Sequence, residues 1–203
     1  MGAILAPLRN NDAAALRGVY ANLHATNPDF QGNNWLLDEL PWLARCGASA
    51  ILEVGCGNGL FATAASRVFA SVVAIDWVES PIMAAQRLPD NLMYIVDDIT
   101  DMALPRADLA VSADVFEHFA PDALPAVASK ISAAAPMQFH KIACYPDSRG
   151  LHLSVLSADE WLGLFQEADA GFRLIRREAR RGRQDQEVIC IGRGLHAVLL
   201  ENS

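Results

Sequence analysis

Apolar residues recur with two different periods along this 203-residue chain. Near the start, Leu16, Val19, Tyr20 and Leu23 fall at i, i+3, i+4 and i+7, so residues 12–25 are predicted to form an amphipathic helix. A second helical stretch is expected over 33–47, "NNWLLDELPWLARCG". Its Asn33–Asn34 pair suits a cap, Pro41 should kink or split it, and Gly47 can end it. From residue 50 the pattern changes to short apolar runs alternating with helical ones. Strands are predicted at 50–54, 71–75, 92–96, 107–112 and 139–144. Helices are predicted between them at 60–68, 80–88 and 122–135, the second opened by Ser80 and Pro81. Such alternation predicts a parallel, doubly wound α/β sheet with helices on both faces.

The end of the chain departs from that rhythm. "SADEWLGLFQEA" opens with a capping box, Ser157 and Glu160. Two more strands follow at 172–178 and 186–193, with only a polar turn around Gly182 between them. Strands without an intervening helix pair antiparallel, so a mostly parallel seven-stranded sheet is expected to end in a hairpin. The whole of 1–203 is read as a single domain, with 1–48 a helical lid and 49–203 the core.

Composition narrows the classes. Hydrophobic residues make up 52%, enough for a packed core, yet no apolar run nears the ~20 residues that span a bilayer. The first residues lack the basic start and long apolar segment of a signal peptide. Cys46, Cys56, Cys144 and Cys190 are scattered without a Cys-x-x-Cys pair, so reduced cytoplasmic thiols are expected and no metal site. A net charge of -8 argues against a broad phosphate-binding face. Even so, six of the sixteen Lys and Arg fall within 173–183, "RLIRREARRGR". That cluster reads either as a solvated hairpin or as a patch for an anionic partner.

Candidate chemistry gathers at one sheet edge. In "ILEVGCGNGLF", residues 51–61, glycines stand at 55, 57 and 59. Side chains are given up there either because the backbone bends sharply or because something approaches it closely. The dinucleotide fingerprint fails, since its third glycine would stand where Leu60 is, and no Gly-Lys-Ser/Thr follows. Glu53 would repel a phosphate but suits a cationic or hydroxyl-bearing ligand. Asp76 ends the second strand, where a carboxylate can bind both ribose hydroxyls. Asp97 and Asp98 end the third, where a carboxylate can accept from an exocyclic amine.

Together "LEVGCGNG", "VVAID", "YIVDDI" and "ADLAVSADVFEHF", spanning residues 50–119, resemble the successive motifs of class I S-adenosylmethionine-dependent methyltransferases. The final helix and strands are similar to that family's C-terminal helix and hairpin. The resemblance implies a Rossmann-like fold, S-adenosylmethionine as cofactor and S-adenosylhomocysteine as product. It assigns Glu53 to the methionine amino group, and Gly55, Cys56, Gly57 and Gly59 to the methionine and ribose. Asp76 is assigned to the ribose hydroxyls and Trp77 to the adenine face. Asp98, or Asp97 beside it, takes the adenine amine, and the Ile99 N–H meets a ring nitrogen. Main chain at Ala113 and Asp114 closes over the methionine end.

The implied reaction is in-line methyl transfer to O or N of a small-molecule acceptor, with no nucleic acid and no membrane expected as partners. His118, His152 and Tyr145 are the candidates for a base or acceptor contact, with Arg149 behind them. His140, inside an apolar strand, is read as a core histidine. Tyr20 and Trp35 are read as lid aromatics, and 27–34 as a mobile connector. Two other readings stay open at this level. One is a cofactor-binding regulator or partner subunit without catalysis. The other is an RNA methyltransferase leaning on the arginine cluster, although "SADVFEH" stands where an Asn-Pro-Pro-Tyr-like motif would mark base amines.

Overall fold

In the computed structural model, which describes residues 13–180 and 182–195, the apolar runs pair into one seven-stranded sheet. Strands β1 (Ala50–Val54), β2 (Ser71–Asp76), β3 (Leu92–Val96), β4 (Leu109–Ala113) and β5 (Met137–Ala143) run parallel. Strands β6 (Arg173–Arg180) and β7 (Arg183–Arg193) form the C-terminal hairpin. The order is β3-β2-β1-β4-β5-β7-β6, with β7 antiparallel to both its neighbours. Strand order reverses between β1 and β4, and the crevice outside their C-terminal ends is where such sheets bind ligands.

Side chains of each strand alternate between two apolar layers. Leu52, Val54, Ile142, Ile189 and Ile191 pack with Val127 and Ile131 of α6 (Leu124–Ala134) and with Trp161 and Phe165 of α7 (Ala158–Ala168). Ile51, Val111, Phe139 and Cys190 pack on the other face with Leu36, Leu43, Phe69 and Phe61, the last from α4 (Leu60–Ala65). Burying each large side chain contributes about 1.5–3 kcal/mol. The capping box holds α7 as expected: the Glu160 N–H donates to Ser157 Oγ at 3.4 Å, and Glu160 Oε2 accepts from the Ser157 N–H at 2.8 Å.

His140 is a core histidine. It is fully buried, and its ring stacks on Phe165 at 5.2 Å. Gln138 gives its amide hydrogens to Ile131 O and Ala135 O, so its Oε1 must accept from His140 Nε2 at 2.8 Å. That leaves His140 Nδ1 to accept from the Ser112 hydroxyl at 2.9 Å. Burial pushes this imidazole down to about 3, so it stays neutral.

The segment before β1 differs from the periodicity reading. Helix α1 (Ala13–Thr26) carries the predicted stripe, and Asp12 lies outside the described residues. The single helix expected over 33–47 is instead a 3-10 turn (Leu37–Glu39) running into the four-residue α3 (Leu40–Leu43). Pro41 has no N–H to give, so it sits in the first turn of a new helix rather than inside a long one. The connector expected to be mobile contains helix α2 (Pro28–Gly32), capped by Asn27, whose Oδ1 accepts from the Asp29 N–H at 2.9 Å. Asn58 pins it by donating to Phe30 O and Asn33 O at 3.1 and 2.8 Å. Helix α5 (Pro81–Ala85) stops short of the predicted residue 88, with Gln86 already extended. All four cysteines are free thiols. No helix among the described residues is long and apolar enough to cross a membrane.

Phe165 is fully buried and meets Phe116, Phe172 and His140 at ring distances of 4.7, 5.0 and 5.2 Å. Phe165→Ala is expected to cost about 3–5 kcal/mol in urea unfolding. A loss below about 1 kcal/mol would mean that this layer does not hold the hairpin side together.

Candidate active site

The turn after β1 answers to both of its possible causes, at different glycines. Gly55, Gly57 and Gly59 all take left-handed φ, at 72°, 52° and 69°. A Cβ on Gly55 would stand 2.3 Å from Val115 Cγ2, and one on Gly59 would stand 1.8 Å from Met83 Sδ. Those two positions make room for the protein's own side chains. Gly59 is not among the cavity-lining residues. Gly57 is the open one, where the nearest atom to a Cβ is His24 Cε1 at 3.6 Å.

The turn's N–H groups point inward rather than into the crevice. Gly55 and Cys56 both donate to Ile75 O, at 2.8 and 3.0 Å, and Gly57 donates to Asp76 Oδ2 at 2.7 Å. Asp76 Oδ1 accepts from the Val78 N–H at 3.0 Å. Each carboxylate oxygen keeps a lone pair for a further donor. Burial pushes the Asp76 carboxyl up, while His24 and these N–H groups pull it back.

A cavity of about 1300 Å³ opens over this turn. Glu53, Gly55, Cys56, Gly57, Asp76 and Trp77 line it from β1 and β2, and Asp97, Asp98 and Ile99 from the end of β3. Ala113, Asp114 and His118 line it from the loop after β4, and Tyr145, Arg149 and His152 from the loop after β5. The helical segment adds Tyr20, His24 and Trp35. Trp77 is flanked by the Tyr20 ring at 6.1 Å and the Arg17 guanidinium at 5.9 Å. Asp98 Oδ1 accepts from the Thr100 N–H and hydroxyl at 2.9 and 2.7 Å, and Asp97 Oδ1 accepts from the Asp98 N–H at 2.8 Å. Asp97 is exposed and Asp98 half-buried, and the two close the turn after β3. Asp114 is the one non-glycine residue with positive φ, 52°, among the described residues.

Two buried polar atoms at this cavity have no partner: Glu53 Oε2 and His24 Nδ1. Glu53 is 1% exposed, and burial pushes its carboxyl up to about 8. An unpaired buried carboxylate oxygen asks for a cationic donor, and an unpaired imidazole nitrogen asks for a polar one. Residues 53–77 therefore fit a ligand that carries an ammonium group together with hydroxyls. Sequence reading missed His24 and Asn58, although His24 follows Tyr20 by four residues and extends its face of α1.

The loops after β4 and β5 bring the acceptor-side candidates together. Leu151 O can only accept, so His118 Nδ1, 3.0 Å away, carries the hydrogen; the Tyr20 hydroxyl lies 2.7 Å from the same nitrogen. His152 Nδ1 donates to Tyr145 O at 2.6 Å by the same logic. The rings of His118 and His152 are 5.0 Å apart, and those of Tyr145 and His152 5.4 Å. Asp147 shapes this loop by accepting from the N–H groups of Arg149, Leu151 and His152 at 2.9, 2.5 and 3.0 Å. Burial holds His118 down at about 4, a neutral imidazole and a weak base. Burial and the neighbouring Asp114 hold the Glu117 carboxyl well above the usual range.

The arginine cluster turns out to be engaged within the chain. Arg176 bonds Glu39 at 2.6 Å and Glu178 at 2.9 Å, and Lys141 meets the same two acids at 3.3 and 2.5 Å. Arg177 pairs with Asp159, Arg183 with Asp185, and Arg180 lies 5.4 Å over Tyr145. Arg173 bonds Ala170 O and Phe172 O; Arg181 lies outside the described residues.

Residues 51–135 match the family model of a methyltransferase domain. Those residues carry a methyltransferase domain, and the chain's fold is the one that solved S-adenosylmethionine-dependent methyltransferases share. Three solved members share its fold. A 1,6-didemethyltoxoflavin-N1-methyltransferase of Burkholderia thailandensis, solved with 1,6-didemethyltoxoflavin and S-adenosylhomocysteine, is 18% identical with a TM-score of 0.70, over 95% of this chain and 92% of that one. Magnesium protoporphyrin IX methyltransferase of Synechocystis PCC 6803 is 13% identical at 0.64, over 88% and 99%. The N-methyltransferase NodS of Bradyrhizobium japonicum WM9 is 14% identical at 0.64, over 88% and 98%. No curated protein matches this methyltransferase by sequence.

Glu53 leaves a mark on the stability of the ligand-free methyltransferase. A carboxyl whose folded pKa stands at about 8, above its unfolded value, keeps its proton in the fold. Its stabilising share is full below the unfolded pKa and is lost as pH rises through about 8. Glu53→Gln is therefore expected to flatten the fall in melting temperature between about pH 5 and 9. Parallel curves for the two proteins would show that Glu53 is not proton-linked to folding.

Proposed function

We propose that the chain transfers a methyl group from S-adenosylmethionine to O or N of a small-molecule acceptor by in-line displacement. One observation carries this reading: a single cavity runs from the Gly55–Gly57 turn to the loops bearing His118, Tyr145 and His152. Its volume of about 1300 Å³ exceeds the ~300–1000 Å³ that one drug-sized ligand fills, so a cofactor and a small acceptor both have room.

On this reading Glu53 meets the methionine ammonium, and Gly55, Cys56 and Gly57 offer a close-lying main chain. Asp76 takes the ribose hydroxyls with its remaining lone pairs. Trp77, already edged by Tyr20, packs on the adenine, and Asp98 and the Ile99 N–H meet its polar edge. When bound, S-adenosylmethionine supplies an electrophilic methyl on its sulfonium. The chain's own task is then to align an acceptor and to exclude water. Tyr20 and His24 of α1 cover the cavity, which fits a lid role for the segment before residue 49 within one domain of 1–203. His152 and Tyr145 contact the acceptor, while His118 is held neutral between Tyr20 and Leu151. The described arginines of 173–183 are engaged internally, which favours a small acceptor over a nucleic acid. Four free thiols suit the reducing cytoplasm.

Asp76→Ala is expected to weaken S-adenosylhomocysteine binding at least ~10-fold by calorimetry, since two hydroxyls lose a charged acceptor. Unchanged affinity would remove the site assignment. A labelled-methyl screen against metabolite extract should yield a labelled small molecule, and His152→Ala should cut that yield at least ~10-fold. Tight cofactor binding with transfer to nothing would instead favour a regulator or partner subunit.

A further inference from the structure

The loops after β4 and β5 assemble a donor set that holding a small molecule does not account for. Glu117, His118 and His152 each offer a ligand atom, and these atoms lie within 4.8 Å of one another. Ligands bound to one first-row cation at about 2.0–2.2 Å sit roughly 3–3.5 Å apart, so side-chain shifts of about 1 Å close the set. The surrounding contacts are those that orient metal ligands. His118 Nδ1 is held on Leu151 O at 3.0 Å and His152 Nδ1 on Tyr145 O at 2.6 Å, which leaves Nε2 as the free donor of each ring. Glu117 is held in the same manner, its Oε1 accepting from the Ala143 N–H at 3.0 Å.

The second observation is an orphan. Glu117 is fully buried, and no N–H donor or hydroxyl reaches its Oε2; the carboxyl shares its surroundings with another acid, Asp114. Asp114, three residues earlier, lines the same cavity and adds a further acid. A buried carboxylate oxygen without a partner is costly unless a positive charge meets it.

We propose that Glu117, His118 and His152 bind a divalent first-row cation. Two imidazole nitrogens and a carboxylate suit Mn²⁺, Fe²⁺, Co²⁺ or Zn²⁺, whereas Mg²⁺ and Ca²⁺ prefer oxygen throughout. Three protein ligands leave a coordination position open, and His118 and His152 both line the cavity. An acceptor hydroxyl that binds there releases its proton to solvent water and stays as an oxyanion near neutral pH. The metal site stands on its own residues; its consequence, an oxygen rather than a nitrogen acceptor, rests on the methyl-transfer reading.

The test uses untagged full-length chain, stripped with chelator and dialysed against each of the four ions separately. Elemental analysis is expected to find about one ion per chain for at least one of them. Mn²⁺ titration followed by electron paramagnetic resonance should show His152→Ala and His118→Ala binding at least ~10–100-fold more weakly. Should His118→Ala not fold, His152→Gln keeps the bulk and the loop while removing the imidazole. S-adenosylhomocysteine calorimetry on the same samples separates the two readings. A chain that binds that nucleoside while taking up less than about 0.1 ion with every metal overturns the metal site alone. His152→Ala and His152→Gln both binding metal as the wild type does overturns it equally. Metal uptake without nucleoside binding retains this site and overturns the cofactor assignment.

Discussion

The bond from the Gly57 N–H to Asp76 Oδ2, 2.7 Å long, is the constraint on which the rest of the site is built. Three left-handed glycines bend the chain back over the end of β2, and a bend of that kind holds only if its buried N–H groups find acceptors. Ile75 O takes two and the Asp76 carboxylate a third. With the turn held, Asn58 projects to α2 and fixes the carbonyls of Phe30 within it and Asn33 just after it. That anchor brings α1 across the cavity, where Tyr20 reaches His118 on the far loop. One carboxylate thus propagates through the turn, the helical segment and the acceptor side.

The electrostatics follow from the same geometry. Glu53, Asp76 and Asp114 line one cavity with Glu117 buried behind it, and burial raises the carboxyl of each. Structures that hold several buried acids do so where a positive ligand will meet them, at a cost in stability elsewhere. On the proposed reading a sulfonium with an ammonium group answers the Glu53 end, and a divalent cation the Glu117 end. The orphaned oxygens, one on each residue, mark those two ends.

On the opposite side Glu39 binds the segment before β1 to the hairpin. Its carboxylate receives Trp42 Nε1 at 2.7 Å, Arg176 at 2.6 Å and Lys141 at 3.3 Å. The partners are unevenly exposed, 40% for the Arg176 side chain against 5% for that of Glu39. Solvent screens such a network, so its value lies in position more than in energy. It holds the hairpin and the helical segment in one arrangement around the cavity.

Local period and local chemistry decided much of this protein by themselves. The five parallel strands, the glycine turn, the acids at strand ends and the Ser157–Glu160 box are all legible, because each depends on residues a few positions apart. What only the tertiary structure decided has the opposite character. Gly55 and Gly59 are glycines because Val115 and Met83 arrive from 60 and 24 positions away. The connector 27–34 looked loose because its anchor, Asn58, belongs to another element. Glu117, His118 and His152 have no spacing in common, and they meet because β4 and β5 lie side by side and end at the same edge. Sequence periodicity reports what an element buries; it carries no trace of which distant side chain completes the contact.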